Sequence, residues 1–142
     1  MKNIATIALF VAATLLTAGA ADAQYRSVKA DVPFTFTVGD QTLPAGTYTI
    51  VAGTAIPDVL AIRNWDKKIS VLQMGRSDQS KPSNDNVLVF HKCGNQYFLS
   101  EIRSDGASIN MYFPTTKAEK RAKSEAEEAG NFVDHPVLLA LR

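Results

Sequence analysis

Between Val32 and Val51 the chain reads VPFTFTVGDQTLPAGTYTIV, and this stretch restricts the possible folds more than any other. Val32, Phe34, Phe36 and Val38 alternate with Pro33, Thr35 and Thr37. Successive side chains of a strand point to opposite faces, so this is the pattern of a half-buried β-strand. Gly39-Asp40 punctuates it. Leu43-Pro44-Ala45-Gly46 then supplies a proline with preset φ and a glycine for a tight turn into the β-branched run Thr47-Tyr48-Thr49-Ile50-Val51. The stretch predicts antiparallel pairing and contains no reactive group.

The N-terminus is of a different kind. Lys2 precedes the uncharged run Ile4 to Leu16, and Ala21-Asp22-Ala23 is a small-x-small site before Gln24. This is the three-part layout of a secretory signal peptide, residues 1–23, with cleavage after Ala23. The run is shorter than the roughly 20 apolar residues that span a bilayer, so release is expected, with no stable membrane anchor. The mature chain is then secreted or periplasmic.

Residues 24–142 suffice for one modest domain with its own core. The net charge of +1 points to neither nucleic acid nor an acidic membrane surface as a partner. Cys93 is the single cysteine, so the chain cannot form a disulfide with itself. It is expected to be either a packing residue or, where exposed, one half of an intermolecular disulfide.

Along the chain, Gln24 to Ala30 suits an edge strand guarded by Arg26 and Lys29. Asp58 to Asn64 and Lys68 to Met74 read as two strands around a turn at Trp65-Asp66-Lys67. Gly75 to Asn86 reads as a mobile surface loop. Gly94-Asn95 suits the centre of a hairpin turn, setting Cys93 opposite Gln96, His91 opposite Phe98, Phe90 opposite Leu99 and Val87 opposite Ile102. Asp105-Gly106 turns again and sets Ile102 opposite Ile109 and Phe98 opposite Phe113. In this register Phe90, Leu99 and Tyr112 share one face, and Val89, Phe98, Ile102 and Ile109 the other. Both faces need cover, so the expected fold is all-β: a single antiparallel β-sandwich or partly closed barrel spanning 24–114.

A short C-terminal helix over 115–130 completes it. Thr116-Lys117-Ala118-Glu119 matches a capping box, and the stretch stops at Gly130. Ala118, Ala122, Ala126 and Ala129 form a stripe too small to bury much area, so a solvated helix that lies only lightly on the sheet or projects from it is expected, rather than a specific docking helix. The tail, 131–142, ends in Val137-Leu138-Leu139-Ala140-Leu141. Burying one leucine is worth about 1.5–3 kcal/mol, so the tail is expected to add a strand to its own sheet or to insert into a neighbour's edge.

The blocks VPFTFTVGDQTLPAGTYTI, LVFHKCGNQYFLSEI and PTTKAEKRA together resemble a family of short exported β-proteins common in acidobacterial genomes. The resemblance implies an exported all-β domain with a short helix and assigns no activity, cofactor or site. At Cys93 the chain departs from the aromatic residue of that pattern, so no family-wide thiol chemistry is implied. LPAGTYTI alone is also similar to the turn and strand of carboxypeptidase-regulatory and collagen-adhesin B-type sandwiches.

Motifs of catalysis are missing from the sequence. His91 and Cys93 project from one strand face, but no third orienting group is evident beside them. His91, Cys93 and His135 lack the spacing and number of a metal site. Glu101, predicted opposite Leu88, reads as a strand charge paired with Arg103 or Lys92. No catalytic, cofactor-binding or metal residue is therefore expected. The expected function is a non-catalytic structural or protein-interaction component of the envelope or secretome, with Val137–Leu141 or Cys93 as means of self-association. The alternative is a small-ligand or glycan-binding module built from Trp65, Tyr97 and Tyr112. Trp65 is expected to fold back over its own hairpin, which favours the first. Intact-mass measurement of the exported protein should give a chain beginning at Gln24; a mass retaining residues 1–23 would remove the argument for release.

Overall fold

The computed structural model describes residues 26–53, 56–78, 84–132 and 135–142. The leader, 1–23, lies outside the described residues, as do Gln24 and Tyr25. Two antiparallel sheets face each other across one core. The first is ordered β1 (Arg26–Val32), β4 (Gly46–Ala52), β5 (Val59–Asn64), β6 (Ile69–Met74). The second is ordered β11 (Pro136–Ala140), β8 (Asn86–Cys93), β9 (Gln96–Ser104), β10 (Ile109–Tyr112), β7 (Arg76–Ser77). A small hairpin, β2 (Phe36–Val38) with β3 (Gln41–Leu43), joins the second sheet through a parallel pairing of Thr37 with Phe98. The all-β, curled two-sheet arrangement with one short C-terminal helix is the expected class.

The run from Val32 to Val38 keeps its predicted buried face but is not one strand. Pro33 has no N–H to give a ladder, so β1 ends at Val32 and the chain crosses to the second sheet before β2 begins at Phe36. Phe36 stands between the sheets, edge-on to Tyr48 of β4 at 5.3 Å and to Phe90 of β8 at 5.4 Å. Phe34, at the crossing, is edge-on to Phe90 (5.2 Å) and stacked on Tyr97 (3.9 Å).

Tyr48 donates its hydroxyl to the Pro44 carbonyl (2.5 Å), tying the turn predicted from Leu43-Pro44-Ala45-Gly46 to the core. Burial pushes the Tyr48 phenol above its ordinary pKa, with the nearby Asn64 amide pulling more weakly the other way. Asn64 is itself buried; its Oδ1 accepts from the Lys67 N–H (3.0 Å), while its Nδ2 makes no well-formed hydrogen bond. Gly46 permits this packing, because a β-carbon there would come within 2.5 Å of Asn64 Nδ2.

In the β8–β9 hairpin, Gly94 takes φ +60° at the turn, and Cys93 pairs with Gln96, His91 with Phe98 and Phe90 with Leu99. A β-bulge then shifts the register. Val89 pairs with Glu101, Leu88 with Ile102 and Val87 with Arg103, in place of the expected Val87–Ile102 and Leu88–Glu101 pairs. Because the bulge absorbs one residue of β9, Leu99 and Ile102 both reach the core, whereas alternation alone put them on opposite faces.

The next turn differs as well. Asp105-Gly106 is half of a four-residue loop, closed by the Ser108 N–H on the Asp105 carbonyl (3.0 Å) with Ser108 at φ 51°. Ile109 therefore pairs with Ser104 and Met111 with Ile102, two residues from the expected register. Thr37 of β2 occupies the place beside Phe98 that the predicted register gives to Phe113. The Phe113 N–H instead donates to the Ser100 carbonyl (2.8 Å) at the bulge. Within the expected loop after Gly75, Arg76–Ser77 forms β7 against β10.

The tail is β11, antiparallel to β8 with Val137 opposite Phe90 and Leu139 opposite Leu88. Beyond it, Arg142 exchanges both backbone hydrogen bonds with Lys29 of β1 (2.8 and 2.9 Å), and its guanidinium pairs with Asp31. These bonds join the free sides of β1 and β11 and close one seam of the sandwich. On the other side the chain itself passes between sheets at Gly75. Deleting Val137–Arg142 should lower stability by about 3 kcal/mol, from the lost burial of Val137, Leu139 and Leu141. Thermal unfolding with size-exclusion chromatography checks this: unchanged stability with altered oligomer size would show that the strand serves a neighbour.

Candidate functional sites

Two regions carry the groups able to do chemistry or to bind. The first is the outer face of the β1-β4-β5-β6 sheet. Ile50, Leu60, Ile62 and Val71 face the core, so alternation turns Val51, Val59, Ala61, Leu72 and Met74 outward. Cross-strand pairing sets Val51, Ala61 and Leu72 in one row and Val59 beside Met74. Ala61 is buried yet outside the core cluster, overhung by its apolar neighbours in that row. Leu72 and Met74 are 72% and 69% exposed, and Ile56 in the loop before β5 is 61% exposed.

Trp65, at the β5–β6 turn, stands on the same side beyond the polar row of Thr49, Arg63 and Ser70. It does not fold back over its hairpin: it is 70% exposed, with the Arg63 guanidinium 5.8 Å from its ring. The other two aromatic candidates lie elsewhere. Tyr97 is stacked on Phe34 and packed against the core, with the Lys92 ammonium 5.6 Å from its ring. Tyr112 is on β10 of the second sheet, opposite Glu101 and Arg76. The fold does not bring the three together.

The second region lies where helix α1 (Lys117–Glu128) rests on β8. Thr116 caps the helix, its Oγ1 accepting from the Glu119 N–H (3.2 Å). In a capping box the Glu119 carboxylate would reach back to the Thr116 N–H. Here it turns to the sheet and accepts from His91 Nδ1 at 2.7 Å. The helix buries Glu119, Ala122 and Ala126 rather than the whole alanine stripe, and ends with the Gly130 and Asn131 N–H groups on the Glu127 and Ala126 carbonyls. Cys93 is buried beside Phe98 and Ala122, with Phe132 packed on them and the Lys123 ammonium 4.9 Å from its ring.

His91, Cys93, Glu119, Lys123, Phe132 and His135 are among the residues lining a cleft of about 130 Å³. The fold thus gathers the three residues weighed for metal binding and adds the carboxylate that orients His91. Sequence spacing could not reveal that carboxylate, because Glu119 looks like a cap. Still, no group of three His, Cys, Asp or Glu side chains among the described residues is arranged to hold a metal ion. The cleft is also well below the roughly 300–1,000 Å³ of a small-molecule site. Glu101, the remaining acidic candidate, is bound to Arg103 (2.5 and 2.7 Å).

Comparison with known protein families, curated proteins and solved structures finds no match to the chain. The His91–Glu119 contact is a polar link between helix and sheet, half exposed on the His91 side. Glu119→Ala should cost about 1 kcal/mol and speed amide hydrogen exchange across Lys117–Glu128 while β8 and β9 stay protected. Unchanged exchange in the helix would mean that Ala122, Ala126 and Phe132 dock it unaided.

Proposed function

We propose that this is an exported, non-catalytic domain that works through protein contacts made by the outer face of its first sheet. The observation that carries the reading is the patch formed by exposed Leu72 and Met74 with Val51, Val59 and Ala61 beside them, with exposed Trp65 on the same face beyond the polar row of Thr49, Arg63 and Ser70. Soluble monomers seldom leave several large apolar side chains exposed side by side, and such patches mark interaction surfaces. Aromatic residues, methionine and arginine are also enriched in protein interfaces, which fits Trp65, Met74 and Arg63.

A second reading, a glycan- or small-ligand-binding module, is favoured by the exposure of Trp65 alone, because an open indole face can stack on a sugar. It gains nothing from Tyr97 and Tyr112, which stand apart, or from the cleft at α1, which Trp65 does not line.

Co-purification of the natively exported protein with its partner tests the first reading. Trp65→Ala and Leu72→Asp, both at exposed positions, should each change stability by no more than about 0.5 kcal/mol and each release the partner. A partner retained by both variants would move the contact surface elsewhere, and retention of a soluble glycan lost only in Trp65→Ala would favour the second reading.

A further inference from the structure

Resting on the reading of the first sheet's outer face as a contact surface, we propose that Met74 is an oxidation site through which a peroxide reversibly switches that surface off. The sulfur groups of the chain are Met1, Met74, Met111 and Cys93. Met1 belongs to the leader and lies outside the described residues. Met111 is 7% exposed within the core, and Cys93 is 4% exposed beneath α1, among Phe98, Ala122 and Phe132. Met74 is 69% exposed at the end of β6. Among the described residues it is therefore the one sulfur that a dissolved oxidant meets without any opening of the fold.

Its place in the patch gives the reaction a consequence. Alternation puts Leu72 and Met74 on the outer face, and pairing sets Leu72 beside Ala61 and Met74 beside Val59. In its reduced form Met74 is a flexible, polarizable apolar group of the kind that recurs at binding surfaces. Its sulfoxide has nearly the same shape but carries a polar oxygen that accepts hydrogen bonds. In water that oxygen is satisfied. Against an apolar partner it is buried without a donor, so the contact weakens. Met74 stands outside the core cluster, so the fold is left intact. Leu72, Val51, Val59 and Ala61 offer such an oxidant no atom, which makes Met74 the point at which the patch can be changed chemically.

The oxidant is hydrogen peroxide or an organic hydroperoxide. A lone pair of the Met74 sulfur attacks one peroxide oxygen, the S–O bond forms as the O–O bond breaks, and the other oxygen leaves, with the proton, as water or an alcohol. The sulfur loses two electrons and the peroxide gains them. A methionine sulfoxide reductase reverses the step: a dithiol supplies two electrons and becomes a disulfide, and the sulfoxide oxygen departs as water.

Hydrogen peroxide titrated against the natively exported protein, with peptide mass spectrometry, tests the site. Met74 should oxidise at least about tenfold faster than Met111, with Cys93 unmodified while the fold holds. The oxidised protein should keep its thermal midpoint, leave a hydrophobic-interaction column earlier than the reduced protein, and hold its co-purified partner at least about tenfold more weakly. Met74→Gln, which fixes a polar group at the position, should behave in the same way without peroxide. Met74→Leu should retain the partner in peroxide, and a sulfoxide reductase with dithiothreitol should restore binding to the oxidised protein. Equal oxidation of Met74 and Met111 would overturn the proposal, as would loss of the partner by Met74→Leu in peroxide, which would put the sensitive group elsewhere. If the oxidised protein and Met74→Gln keep the partner while Trp65→Ala and Leu72→Asp release it, the switch fails and the surface reading stands. If all four keep it, the surface reading falls and the switch with it.

Discussion

Phe36 pins the two sheets together. It belongs to the second sheet through β2, yet its ring meets Tyr48 of the first and Phe90 of the second at near-perpendicular angles. Aromatic pairs in this edge-to-face arrangement contribute about 0.5–1.5 kcal/mol beyond the area they bury. The placement depends on Pro33, which ends β1 and sends the chain across the core. It depends also on the turn at Pro44, whose carbonyl fixes Tyr48. Without a disulfide, the sandwich relies on such wedges and on the seam between β1 and β11.

Period-two alternation made much of this legible. Buried positions from Val28 to Val71 and the strands on either side of Trp65 follow from it directly, while the sheet-edge placement of the tail follows from its five successive apolar residues. Where expectation and structure part, a single residue changes the count. Pro33 splits a strand that alternation made continuous. The bulge near Ser100 reverses the face of Ile102, and a four-residue loop replaces a two-residue turn because Ser108, not Gly106, takes the positive φ. The His91–Glu119 contact joins residues 28 apart that look like a strand charge and a helix cap. No local pattern encodes such a pair, since it arises only when the helix lies across β8. The exposure of Trp65 is illegible for a related reason: a turn position says nothing about what stands above it.

The two candidate regions differ in how they treat their chemistry. At the helix, three groups able to react are engaged in packing or pairing: His91 with Glu119, Cys93 with Phe98 and Ala122, Lys123 with Phe132. On the first sheet large apolar groups stand in water unrelieved. Hydrophobic surface costs free energy whether or not a partner is present, and a domain lacking disulfides has little to spare. That imbalance is the physical ground for placing recognition on the sheet.

The seam closed by Arg142 and Lys29 also governs how the domain can be made. It links the first and last strands, so the loop to be closed before those bonds form is nearly the whole described chain. Loop entropy of that kind slows folding, and sheets dominated by distant pairings form in milliseconds to seconds rather than microseconds. A chain emerging in order would complete β1, β4, β5 and β6 early, yet the free side of β1 would stay unpaired until β11 arrived. During synthesis both flanks of the first sheet are thus open at once, and the growing polypeptide passes through a stage in which it is far stickier than the finished fold.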